Sequence, residues 1–374
     1  MSSEIKETNK LLIVGRIPPP YGGVTVHISR LLSHLQALDY PFEFCALPRS
    51  SNHKSSILQK LRKFIKPACT LLFHRYDVVH CHASNPWLFI LVDLISGRLR
   101  RGKIIHTLHG EGILLACECG PPYMKCLLRF AFKRASQIIA INTSCAQRVR
   151  PFAASPAHVI LMSAYIPPGS EEMETGQINS ELETFFNKHP KCFASQGNFG
   201  NMYQGKDLYR FDLLANALVS IRATNKSVGL CSVVSQTLSN SARNDVLNLR
   251  RQLGLEDHWL IIEDFGSAIP LYRRCIGFIR PTMSDGDSLS IRECLDLGVP
   301  VIASNAVPRP EGCVIFESGN LHSLEATLLD VLSEYPQFTL LTQQTERENC
   351  LQSLLSCYQS VSSGQLSTSD SGVT

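Results

Sequence analysis

Short runs rich in Val, Ile and Leu recur along the first half of the chain at 10–16, 42–47, 77–83, 103–109, 137–142 and 158–166. Such apolar-rich runs suit strands covered on both faces, and segments between most of them, such as 24–38, space their apolar residues as a helix does. Strand–helix–strand alternation of this kind predicts a parallel sheet covered on both sides. After Ile166 the pattern stops at PPGSEEMETG, an acidic stretch with no strand period, which predicts a linker leading into a polar helix. The alternation then resumes, with strand-like runs at 191–199, 227–235, 258–265, 276–280, 299–304 and 313–317.

The expected architecture is therefore α/β, with two Rossmann-like doubly wound parallel-sheet domains facing a cleft. The first covers 1–170 and the second 171–345. The remainder, 346–374, is expected to form a helix returning to the N-terminal domain and then a disordered Ser-rich tail.

Length and composition agree with this. The chain has 374 residues, 44% of them hydrophobic and 18% charged, which excludes disorder, collagen and coiled coil for its bulk. The longest apolar candidate for a membrane span, 87–95, is interrupted by Asp93, and the N-terminal apolar core 11–14 is too short for a secretory signal, so a cytoplasmic protein is expected. The 14 Cys are dispersed, several within apolar runs, as reduced buried thiols would be. Charge adds something the hydrophobic pattern does not contain. The net +4 divides into +13 over residues 1–170 and −9 over the rest, so the first half should seek an anionic partner.

Four segments carry candidate chemistry. In LLIVGRIPPPYGGVTVHISRLL a strand runs through a loop to a helix opening at Gly22-Gly23. Free backbone N–H groups there attract anions, and glycine permits close approach of a phosphate or sugar; the pair also suits a plain turn. No G-x-G-x-x-G is present, which argues against a dinucleotide-dependent dehydrogenase. In KIIHTLHGEG the strand delivers His106 and His109 toward its carboxyl end, where ligands of parallel sheets bind, although either can equally be a structural imidazole.

The most specific segment is FIRPTMSDGDSLSIRECLDLGVPVIAS. Asp285 on a loop and Glu293 in the following helix can hold the hydroxyls of a sugar or ribose, while the helix N-terminus at Ser288, Leu289 and Ser290 binds phosphate. Ser290-x-x-Glu293 is also a capping box, in which Glu293 serves its own helix. In SQGNFGNMYQGKDLYRFDLL, Lys206 precedes a helix, where an ammonium can offset the charge of a departing diphosphate without a metal.

Together these residues resemble the retaining nucleotide-sugar glycosyltransferases of the GT-B fold, specifically glycosyltransferase family 4, over nearly the whole chain to about residue 345 and most sharply at 280–305. The family's E-x7-E element falls on Asp285 and Glu293. The resemblance implies that Glu293 holds the nucleotide ribose and that Asp285, with Asp287 as its rival, sits near the donor sugar. The family's basic pair falls on Asn201 and Lys206, so that the Lys is kept and the Arg is absent. Its Gly-Gly loop matches Gly22-Gly23 and its N-domain histidine matches His109, on the acceptor side. No cofactor and no bound metal are implied. Transfer to a membrane-associated glycolipid, including one linked through lipid pyrophosphate, is the expected reaction, with retention by front-face displacement.

Two further candidates bear on partners. Cys117, Cys119 and Cys126 with His106 and His109 have no ordinary zinc-finger spacing, and a loop is the simpler expectation. The segment 55–75 places Ile57, Leu61, Phe64 and Leu72 on one helical face with Lys60, Arg62, Lys63 and Lys66 around it, a pattern suited to an anionic membrane surface at the inner face of the cell membrane. Nucleic acid is not expected, because no basic motif is interleaved with aromatics. A nucleotide-sugar epimerase of the same fold and a non-catalytic GT-B partner subunit are the alternatives to a transferase.

Overall fold

The structure, a computed structural model, describes residues 10–47, 65, 68–99, 102–174, 178–234, 237–344 and 349–364. The chain forms two compact units. The first comprises Met1–Pro18, Val24–Ile166 and Glu348–Thr374, the second Pro19–Gly23 and Pro167–Arg347.

The first unit is built on six parallel strands, β1 (Leu11–Gly15), β2 (Phe42–Ala46), β3 (Val78–Cys81), β4 (Lys103–Leu108), β5 (Gln137–Ala140) and β6 (Val159–Leu161), in the order β2-β1-β3-β4-β5-β6. Side chains alternate across a strand, so Leu12 and Val14 enter one apolar cluster and Leu11 and Ile13 the opposite one. That second cluster holds Ile28, Leu31 and Leu35 of the helix Gly23–Ala37. It also holds Leu354, Cys357 and Tyr358 of the last helix, Cys350–Ser363, which thereby belongs to the first unit. The apolar run expected at 158–166 leaves the sheet after Leu161. Its later carbonyls turn inward instead: Ala164 accepts from His27 Nδ1 (2.7 Å) and Ile166 from Arg30 (3.2 Å).

In the second unit, β7 (Lys191–Gln196), β10 (Val228–Val234), β11 (Trp259–Glu263), β12 (Gly277–Arg280), β13 (Val301–Ser304) and β14 (Cys313–Phe316) form a parallel sheet, ordered β11-β10-β7-β12-β13-β14. Cys192 and Ala194 pack to one side and Phe193 to the other. A separate hairpin, β8 (Met202–Tyr203) and β9 (Lys206–Asp207), corrects the expectation of a loop running directly into a helix. Gln204 and Gly205 at its tip both have positive φ, +48° and +78°, as a two-residue hairpin turn of the primed kind requires. The helix begins only at Phe211, after Arg210 in the left-handed conformation.

Strand order locates the crevices. An open α/β sheet leaves one where the chain, having wound to one side of a strand, starts on the other. That place lies between β1 and β3 in the first unit and between β7 and β12 in the second. Among the described residues no helix is long and apolar enough to cross a membrane.

Candidate functional site

In the second unit both sharp motifs leave the two strands that flank the switch point, and they are tied together. Arg280, at the end of β12, donates from Nη1 to the Gln196 carbonyl (2.8 Å) at the end of β7, and its guanidinium lies over the Tyr209 ring at 5.1 Å from the centroid. Met283 N–H donates to the Leu208 carbonyl (3.0 Å). Gly197 is needed where the Tyr209 ring presses on the backbone, since a Cβ there would lie 2.3 Å from Tyr209 Cδ1.

Asp285 is the hub of this arrangement. Arg280 grips it bidentately (2.8 and 2.9 Å), Arg309 Nη1 donates to it (2.9 Å), and Thr282 Oγ1 lies at 3.3 Å. Arg309 also bonds Thr282 Oγ1 (2.9 Å) and the Ser304 carbonyl (2.9 Å). Burial alone would raise the Asp285 pKa, but the charges of Arg280 and Arg309 hold it below the ordinary carboxylate value. These bonds engage its oxygens within the loop that was expected to lie near the donor sugar. Asp287 is likewise paired, with Arg292.

Glu293 is buried (8% exposed) inside the helix Leu289–Asp296. The capping-box alternative is corrected here. The N-cap is Ser288, two residues before the serine the box requires, so Glu293 lies too far into the helix to serve as the box's glutamate. Ser288 Oγ lies 3.2 Å from Ser290 Oγ, and Leu289 is buried. Lys206 and Asn201 are exposed, the former on β9 and the latter just before β8, with the Asn201 carbonyl accepting from Leu208 N–H (2.6 Å).

The first unit's crevice is made of imidazoles. Asn85 ends the β3 segment by capping the helix Pro86–Val92, its Oδ1 accepting from Trp87 N–H (3.0 Å) and Leu88 N–H (3.2 Å). This sets His82 at the mouth of β3, where its Nδ1 lies 2.8 Å from His109 Nε2. His80, two residues back, is fully buried between the Tyr358 hydroxyl (2.7 Å, from Nδ1) and Thr107 Oγ1 (2.7 Å, from Nε2). Burial, with the neighbouring imidazoles, lowers the pKa of His80, His82 and His109 well below the usual value, so all three are neutral at pH 7. A cavity of about 110 Å³ opens beside them, lined by His82, His109, Thr107, Gly110 and Gly112.

His106 is elsewhere. It stacks on Phe89 (3.8 Å between centroids) within β4, where burial lowers its pKa to about 3. Cys117 is buried while Cys119 and Cys126 are exposed, and they do not meet the histidines in a metal-sized group. Gly22 and Gly23 have ordinary negative-φ backbones, and a Cβ at either would meet nothing within 4 Å, so neither turn strain nor packing accounts for them. Lys60, Arg62, Lys63 and Lys66 lie outside the described residues.

Sequence reading missed His27, His80, His82, Arg280 and Arg309. His80 and His82 carried a signal, since residues two apart at a strand's carboxyl end share a face. Arg309 carried none, being 24 residues from the aspartate it holds.

Residues 21–162 match the family model described as Glycosyltransferase Family 4. Among solved structures, HepE of Anabaena, in complex with UDP and glucose, matches with a TM-score of 0.66 at 15% identity, over 95% of this chain and 100% of that one. A glycosyltransferase of Rickettsia africae matches with a TM-score of 0.69 at 14% identity (95% and 99%), and WaaG, a glycosyltransferase of lipopolysaccharide biosynthesis, with 0.64 at 13% (93% and 99%). No curated protein matches in sequence. Two parallel sheets of this order, with the motif loops at their switch points, define a GT-B glycosyltransferase. Residues 21–162 are similar to glycosyltransferase family 4.

Proposed function

We propose that the protein transfers a sugar, with retention, from a nucleoside diphosphate donor held at the β7–β12 crevice to a membrane-associated glycolipid accepted by the first unit. One observation carries the donor assignment. The Lys206 hairpin and the Glu293 helix follow the two strands flanking the switch point, and the Arg280–Gln196 and Met283–Leu208 bonds fix their loops to each other. HepE, of the same fold, has been solved with UDP, which makes UDP the first nucleotide to test.

In this reading Glu293 accepts from the ribose hydroxyls. The N-terminus of the Leu289–Asp296 helix and Lys206 receive the diphosphate, and Asp285, through Arg280 and Arg309, holds the loop in shape. The bond from the anomeric carbon to the diphosphate oxygen breaks as that from the acceptor oxygen forms on the same face, and the acceptor proton passes to the departing diphosphate. Charge builds on the leaving group, so Lys206 acts mainly in the transition state. His109, oriented by His82, lines the acceptor side.

A membrane-borne acceptor is supported by the +13 of residues 1–170 and by the helix Pro122–Arg134, which exposes Tyr123 and Phe130 beside Arg129 and Lys133. Calorimetry with UDP and other nucleoside diphosphates tests the donor reading. Saturable binding, weakened in Glu293→Gln, is expected, and a protein that binds none of them is not this enzyme. Incubation with UDP-sugars and lipid-extracted acceptors separates transfer from epimerisation of the donor alone.

A further inference from the structure

We propose that His27, His82 and His109 form a three-histidine site for a divalent transition ion, Zn²⁺ by its chemistry. The three residues come from separate elements, the helix Gly23–Ala37, the end of β3 and the loop after β4. Their ligand atoms nevertheless all lie within 4.8 Å of one another. Ring centroids are 4.9 to 5.3 Å apart.

The surroundings match what an imidazole-bound ion requires. A carbonyl can only accept, so the 2.7 Å contact with Ala164 fixes the proton of His27 on Nδ1 and puts its lone pair on Nε2; metal-bound histidines are held in place in the same way by an outer partner. His82 and His109 share one proton across 2.8 Å; when an ion binds between them, that proton moves to the other nitrogen of the ring that carried it, so both rings coordinate as neutral imidazoles. The other nitrogen of His82, Nε2, is buried without a hydrogen-bond partner among the described residues. His80, whose two nitrogens are taken by Tyr358 and Thr107, is not a ligand.

The donor set selects the ion. It contains no carboxylate, which disfavours Ca²⁺ and Mg²⁺, and no thiolate, while three imidazoles suit Zn²⁺. Three protein ligands leave a position open, and the 110 Å³ cavity beside His82 and His109 has room for water or a hydroxyl there. The site shares His109 with the acceptor pocket but nothing with the donor crevice, so its test and that of nucleotide binding fail separately.

The test is Zn²⁺ uptake by the full-length protein after chelator treatment, by elemental analysis and competition with a chromophoric chelator. One equivalent is expected. His82→Gln and His109→Gln should each lower affinity by more than about 100-fold, beyond the loss typical of outer-shell changes. His322→Asn, at a side chain 92% exposed, should leave it unchanged. The Co²⁺-loaded protein should show visible d–d bands and no thiolate charge-transfer band. Folded wild-type protein that takes up no Zn²⁺ overturns the proposal without any variant. A thiolate band, which would place the ion on a cysteine such as Cys69, Cys119 or Cys126, overturns it equally, as does unchanged affinity in the double variant.

Discussion

The two crevices lie at corresponding places in two parallel sheets, yet they handle charge in opposite ways. The first gathers His80, His82 and His109 and keeps them neutral through burial. The second buries Asp285 charged, which is tolerable because two arginines and a threonine satisfy it. A neutral pocket costs little to desolvate and suits a sugar or hydroxyl acceptor, whereas a prearranged ionic frame suits a region that must receive a diphosphate without reorganising.

The largest test of this contrast uses pH. A histidine whose folded pKa lies below its unfolded value stabilises the fold fully above about pH 6.5, and that contribution is lost as pH falls, because the unfolded chain then binds more protons. Between pH 7.5 and 5.5 each contributes about 1.4 kcal/mol in the metal-free protein, so the four in the first unit, His80, His82, His106 and His109, together cost roughly 5 kcal/mol. The second unit has two with lowered values, His189 and the more accessible His258 (about 4), and Asp285, held below the ordinary carboxylate value by its arginines, stays ionised across this range. Hydrogen-exchange protection factors at the two pH values should therefore fall further in the first unit, where Asp93, raised to about 7 by burial, takes up a proton over the same range and offsets part of the loss. Equal losses would break the contrast.

Next in size, Arg280→Met leaves Asp285 buried with only Arg309 and Thr282 and should cost about 3 kcal/mol, seen as a fall in Tm confined to the second unit. A neutral outcome would make the ionic frame dispensable. Lys206→Ala should reduce turnover about a hundredfold while weakening nucleoside monophosphate binding little, because its charge is needed as the diphosphate departs. Equal losses would place it in ground-state binding. The smallest effect is expected for Tyr358→Phe, which deprives buried His80 of a partner and should cost about 1 to 2 kcal/mol in denaturant unfolding. No change would mean that the last helix is held by apolar packing alone.

Hydrophobic patterning along the chain determined both sheets: all twelve of their strands lie within the expected runs, because strands of a sheet covered on both faces are rich in apolar residues. Local spacing also marked His109, Lys206 and Glu293 as candidates. It could not reveal what holds Asp285, since Arg309 reaches it from 24 residues downstream. Nor could it show that Tyr358 lies against His80 across 278 residues of chain, or that His27, His82 and His109 converge. Periodicity is a property of neighbours in sequence and is fixed by backbone geometry. The protonation and partners of a buried polar group depend on what tertiary packing brings to it, because a desolvated charge or ring nitrogen is governed by its nearest atoms and not by its neighbours along the chain.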